Sequence, residues 1–100
     1  MTDLEHDYLS EVYRLCRGFD VYVHHCNAAM RCHGKGWLDL ILVGMHGILF
    51  REVKSSPVDA VRPEQTSLIY RLKASGQDAG VWRPEDLHSG AVAQQIAGIS

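Results

Sequence analysis

No apolar run in this chain approaches the length of a membrane span, and the amino terminus, with Asp3, Glu5 and Asp7, lacks the basic-then-apolar pattern of a secretory signal. The sequence therefore reads as that of a soluble intracellular protein. Cysteine is scarce as well: Cys16, Cys26 and Cys32 are an odd number in a chain with ample core-forming residues, so a disulfide framework is not expected and free thiols in a reducing compartment are. No charge of one sign dominates, and the formal net charge of −2 withholds the broad basic surface that nucleic-acid binders normally use to release counterions. Repeats and low-complexity tails are absent. Lys35 between Gly34 and Gly36 does not make a nucleotide-binding phosphate loop, so no nucleotide cofactor is expected.

What is present fits one domain, residues 1–100, because 100 residues at 46% hydrophobic content suffice for one core and leave no room for a second. Thr2 followed by Glu5 is a capping-box signature, and Leu4, Tyr8, Val12 and Leu15 recur at helical spacing until Gly18, which predicts a helix from Asp3 to Arg17. Val21 to Val23 with Cys26 suggest a strand, and the polar stretch from Asn27 to Gly36 a loop. Two apolar runs, Trp37 to Val43 and Ile48 to Lys54, flank Gly44-Met45-His46-Gly47 and read as a hairpin ended by Ser55-Ser56-Pro57. Pro63 opens a helix through Leu68, Ile69 and Leu72 that Gly76 stops. Asp78 to Trp82 reads as a short buried strand, and Ser89 as the cap of a last helix carrying Val92, Ile96 and Ile99. The order is helix, three strands, helix, strand, helix.

The hairpin carries the chemistry. A symmetric turn centred between Met45 and His46 pairs Val43 with Ile48, Ile41 with Phe50 and Asp39 with Glu52, whether its loop has two residues or four. Directly opposed like charges repel in an antiparallel ladder, so a pair of acids there asks for a cation or a bound substrate. Lys54 lies two residues beyond Glu52 and points the same way. Two carboxylates, helped by the main-chain carbonyl of Val53, suit magnesium, which keeps much of its water and takes few protein oxygens. A lysine beside such an ion suits orientation or deprotonation of an attacking water, or neutralisation of phosphate charge, in phosphodiester hydrolysis. The same residues also fit a strand-end ion pair between Glu52 and Lys54 with Asp39 solvated beside it, and spacing leaves both readings open. Both strands are apolar on both faces, with Leu38, Leu40, Leu42, Leu49, Arg51 and Val53 opposite the acids, so helices are expected on either side.

Further residues bear on this cleft. Glu5 falls within the apolar arc of the first helix, where an acid facing inward needs a partner, although a capping-box role alone would also account for it. Gln65 shares the stripe of Leu68 and Ile69 and serves either the cleft or its own helix start. His24, His25, Cys26, Cys32 and His33 gather zinc-capable side chains around one loop, but no paired Cys-x-x-Cys or His-x-x-x-His spacing accompanies them. Arg31, Lys35 and Arg62 are candidate phosphate contacts, and Arg51, Lys54 and Arg71 are further cations that would have to share their side of the molecule. Trp37 and Trp82 read as core.

The ordered set Glu5, Lys35-Gly36-Trp37-Leu38-Asp39-Leu40, Phe50-Arg51-Glu52-Val53-Lys54, Pro63-Glu64-Gln65 and Gly80-Val81-Trp82-Arg83-Pro84 resembles the VRR-NUC branch of the PD-(D/E)XK nucleases over nearly the whole chain. The resemblance implies an α/β restriction-endonuclease-like core with a mixed central sheet of about four strands flanked by helices. It implies magnesium or manganese at Asp39 and Glu52, Lys54 serving the water, and Glu5 and Gln65 completing the site. Small stand-alone members resemble virus-encoded nucleases, so the implied partner is branched DNA, such as a Holliday junction, cut by a homodimer in the host cytoplasm, with the first or last helix as the dimer face. Leu38 stands where the family usually has proline, and Val61-Arg62 where a small capping residue usually precedes the helix. A non-catalytic DNA- or protein-binding module that keeps the nuclease fold is the main alternative, and a zinc-stabilised interaction domain a third.

Overall fold

The computed structural model describes residues 3–26 and 36–100. Helix α1 (Asp3–Gly18) leads through β1 (Tyr22–His25) into the hairpin of β2 (Leu40–Gly44) and β3 (Gly47–Val53). Helix α2 (Pro63–Ala74), strand β4 (Asp78–Trp82), a short helix α3 (Pro84–His88) and α4 (Ala91–Ile99) follow. The sheet runs β1-β2-β3-β4, antiparallel except for the parallel β3–β4 pair that α2 connects. No helix among the described residues is long and apolar enough to cross a membrane.

The hairpin register follows the turn symmetry: Val43 faces Ile48, Ile41 faces Phe50, and Gly44 faces Gly47 across a two-residue loop. Both glycines are required by what lies above the turn. A Cβ on Gly44 would sit 1.9 Å from the Ile99 carbonyl oxygen, and the His46 amide donates to that same oxygen at 2.9 Å. The end of α4 is thereby clamped to the hairpin tip.

One face of the sheet, carrying Leu40, Leu42, Leu49, Val53 and Trp82, packs against Tyr8, Leu9, Val12 and Cys16 of α1 and Val92, Ile96 and Ile99 of α4. Leu4, counted with the apolar arc by spacing, is exposed, since it lies in the first turn, ahead of the residues that meet the sheet. Helix α2 contributes nothing to this core and packs along β4. On the other face Tyr22, Val43 and Ile48, aligned across β1, β2 and β3, stay exposed. The expectation that helices cover both faces is thus met fully on one side only.

Arg51 also departs from expectation. It is buried at 5% exposure, its guanidinium bonded to the Asp78 carboxylate at 2.8 Å and to Gln95 Oε1 at 3.0 Å, and it lies over the Trp82 ring. It is therefore not available to a basic outer surface. Cys16 is a buried free thiol, whereas Cys26 is disulfide-bonded, against the expectation of free thiols.

Candidate active site

Strand β2 starts at Leu40 and not at Trp37 because the main chain at Asp39 is bonded to a side chain. The Asp39 amide donates to Glu52 Oε1 at 3.1 Å, and the Val53 amide donates to Asp39 Oδ2 at 2.9 Å. The two acids therefore lace the strand ends together where the β2–β3 ladder stops. On the other side of Asp39 the Cys26 amide donates to its carbonyl at 2.8 Å, so β1 also reaches the site. Lys54 Nζ lies 3.3 Å from Glu52 Oε2, and both side chains are largely shielded from water.

The charges do not balance. Glu52 is 3% exposed and has Lys54 as counter-ion, whereas Asp39, half-buried, faces the charge of Glu52. Burial and the Glu52 charge push the Asp39 carboxyl up to about 7, with Glu5 adding in the same direction and the Val53 amide opposing. A strand-end ion pair is thus present, but Asp39 is not the solvated bystander that the alternative reading required. Two acids and one ammonium leave a surplus negative charge in a poorly hydrated place, which is the donor chemistry a divalent cation fits. Among the described residues no three His, Cys, Asp or Glu side chains converge as a metal cage. That suits a hydrated hard ion better than zinc, and the disulfide removes Cys26 as a zinc ligand. Cys32 and His33 lie outside the described residues.

Glu5 is half-buried on α1, and its charge reaches both Asp39 and His25. Gln65 is buried at 2% exposure, and its Oε1 accepts from the Arg62 amide at 3.3 Å, so it serves its own helix start while facing inward. Arg62 thus supplies the helix cap position without a small side chain. Gly36, at φ +80°, presses on the first turn of α2: a Cβ there would lie 2.6 Å from the Glu64 backbone. This close approach brings the turn bearing Gln65 beside the segment that leads to Asp39. Arg62 is exposed, and Arg31 and Lys35 lie outside the described residues.

Sequence reasoning passed over two groups. Arg83 Nη1 donates to the carbonyls of Ser56 (3.2 Å) and Asp59 (2.9 Å), pinning the segment after Lys54, while the Tyr8 hydroxyl donates to the Arg83 carbonyl at 2.8 Å. Tyr13 meets His25 edge-on, ring centroids 6.3 Å apart, and the charge of Asp39 raises its hydroxyl's pKa after the larger effect of burial. The signal for Tyr13 was its position eight after Glu5, close to the same helix face.

The mixed sheet and the acid, acid and lysine at its strand ends define a nuclease-type α/β domain. No family model and no curated protein matches the chain. A solved structure described as a VRR_NUC domain protein is similar at TM-score 0.59 and 30% sequence identity, covering 79% of this chain and 69% of that one. The chain belongs to the VRR_NUC family.

Proposed function

We propose that this protein is a magnesium- or manganese-dependent endodeoxyribonuclease that hydrolyses phosphodiester bonds of branched DNA, with four-way junctions as the preferred substrate. The observation that carries the reading is the buried opposition of Asp39 and Glu52 with a single ammonium, Lys54, to offset them. The two carboxylates and the Val53 carbonyl would hold the ion. When bound, such an ion supplies Lewis acidity to a phosphoryl oxygen and lowers the pKa of water. Lys54 holds or takes the water proton, or neutralises phosphate charge, from its place beside Glu52. Glu5 and Gln65 complete the cleft from α1 and α2, and Arg62, together with Arg31 and Lys35, meets backbone phosphates. A homodimer working inside the cell would set two such sites on a symmetric junction.

The second reading, a non-catalytic module on the same fold, is favoured by one observation: Arg51 is spent internally, which leaves a chain of net charge −2 with one cation fewer for DNA. A panel of labelled four-way junction, flap, single-stranded and linear duplex DNA, each incubated with magnesium or manganese, separates the two. Junction cutting that needs the ion supports the nuclease; binding without cutting on every substrate supports the module.

A further inference from the structure

Among the described residues, one buried side-chain nitrogen or oxygen has no hydrogen-bond partner: Nε2 of His25. Buried polar atoms are nearly always satisfied, so an orphan marks a place where the protein expects a polar group it does not itself supply. The position is not a random one. His25 ends β1 opposite Leu40, and the next residue, Cys26, donates its amide to the Asp39 carbonyl. Tyr13 of α1 meets the imidazole edge-on. Glu5, on the same helix, acts electrostatically on both His25 and Asp39, and Asp39 acts on Tyr13. Four groups from α1, β1 and the start of β2 therefore meet on the α1 side of the acid pair.

We propose that His25 is a positioning residue of the acid site: its Nε2 shares a water with Glu5 and so holds that carboxylate toward Asp39 and the divalent ion. The inference rests on the reading of Asp39 and Glu5 given above and names a residue that reading did not use. The chemistry is suited to the task. Burial disfavours the imidazolium, leaving a neutral ring with one donor and one acceptor nitrogen, which can orient a water without adding charge. Partners one step removed from a metal typically alter affinity or activity 10–100-fold when lost. A histidine that merely filled space beside Tyr13 would have no such effect.

The test uses three variants of the full chain and two readouts, manganese binding by calorimetry and thermal stability, with junction cleavage as a third. His25→Phe keeps a ring against Tyr13 but has no nitrogen. His25→Asn places its amide near the Nδ1 position, and His25→Gln reaches the Nε2 position. The proposal expects manganese affinity to fall about 10-fold in the Phe and Asn variants and to stay within about threefold of wild type in the Gln variant, with kcat falling alongside and KM unchanged. If the Phe variant does not fold, the contrast between Asn and Gln carries the same test. Wild-type affinity in the Phe or Asn variant overturns the proposal, as does failure of the wild-type protein to bind manganese at all. Manganese binding that tracks this series in a protein that cuts no DNA supports the role of His25 while overturning the nuclease reading.

Discussion

Asp39 is held in place by a main-chain amide on one side and opposed by a carboxylate on the other, and this tension has a pH signature. Its carboxyl is raised from 3.8 to about 7 in the folded protein, so the native state holds that proton more tightly than the unfolded chain does. Stability from this group is therefore present below about pH 4 and is lost as the pH rises through about 7. In metal-free protein, Asp39→Asn should be equal to wild type near pH 4 and more stable at pH 8. The expected gain at pH 8 is about 1–3 kcal/mol, because a tenfold change in proton affinity corresponds to ~1.4 kcal/mol. Urea unfolding at the two pH values measures the difference, and saturating magnesium should shrink it at pH 8, because the ion neutralises the charge that Asn removes. The opposition of these acids was legible in the sequence because a symmetric turn fixes every partner along a hairpin. The orphan nitrogen of His25 was not, because it depends on how α1 lies over the end of β1.

At the scale of the elements, the hairpin and α4 stabilise each other through a contact that has no room for a side chain. Gly44→Ala would drive a methyl into the Ile99 carbonyl, and the α4 terminus or the turn would have to move. Overpacking of this kind costs about 1–3 kcal/mol, so the midpoint of urea unfolding should fall while the hairpin register survives. Gly76→Ala, also at positive φ but in open space, provides the comparison: its backbone strain appears without a clash. The hairpin, α2 and β4 could be read from periodicity and from Pro63 and the glycines. The second turn signal after β4 could not. Pro84 opens α3, whose Arg83 amide is satisfied by Asp86 Oδ2 at 2.7 Å, a local capping pattern overlooked beside the apolar run that follows.

Across the whole molecule, long-range partners decide what the sequence alone leaves ambiguous. Arg51 lies among strand hydrophobics and reads as an outward cation, yet its partners Asp78 and Gln95 are 27 and 44 positions away. Gln95 Oε1 also accepts from Trp82 Nε1 at 2.8 Å, tying β3, β4 and α4 at one oxygen. Arg51→Leu should leave Gln95 short of donors and destabilise the fold by about 1–3 kcal/mol, with no change in the salt dependence of DNA binding. A surface arginine would behave the opposite way, altering salt dependence and hardly affecting stability. The exposed file of Tyr22, Val43 and Ile48 was hidden from the sequence for a similar reason: apolar alternation shows that a face is hydrophobic, and only the packing of α2 along β4 shows that it stays uncovered.

The most direct test of the account is single-turnover cleavage of a labelled four-way junction with magnesium, run beside calorimetric manganese binding, for wild type, Asp39→Ala and Lys54→Ala. The account predicts that Asp39→Ala loses both the ion and the cutting, and that Lys54→Ala keeps the ion but cuts about 100-fold more slowly. Undiminished cleavage in either variant would contradict it.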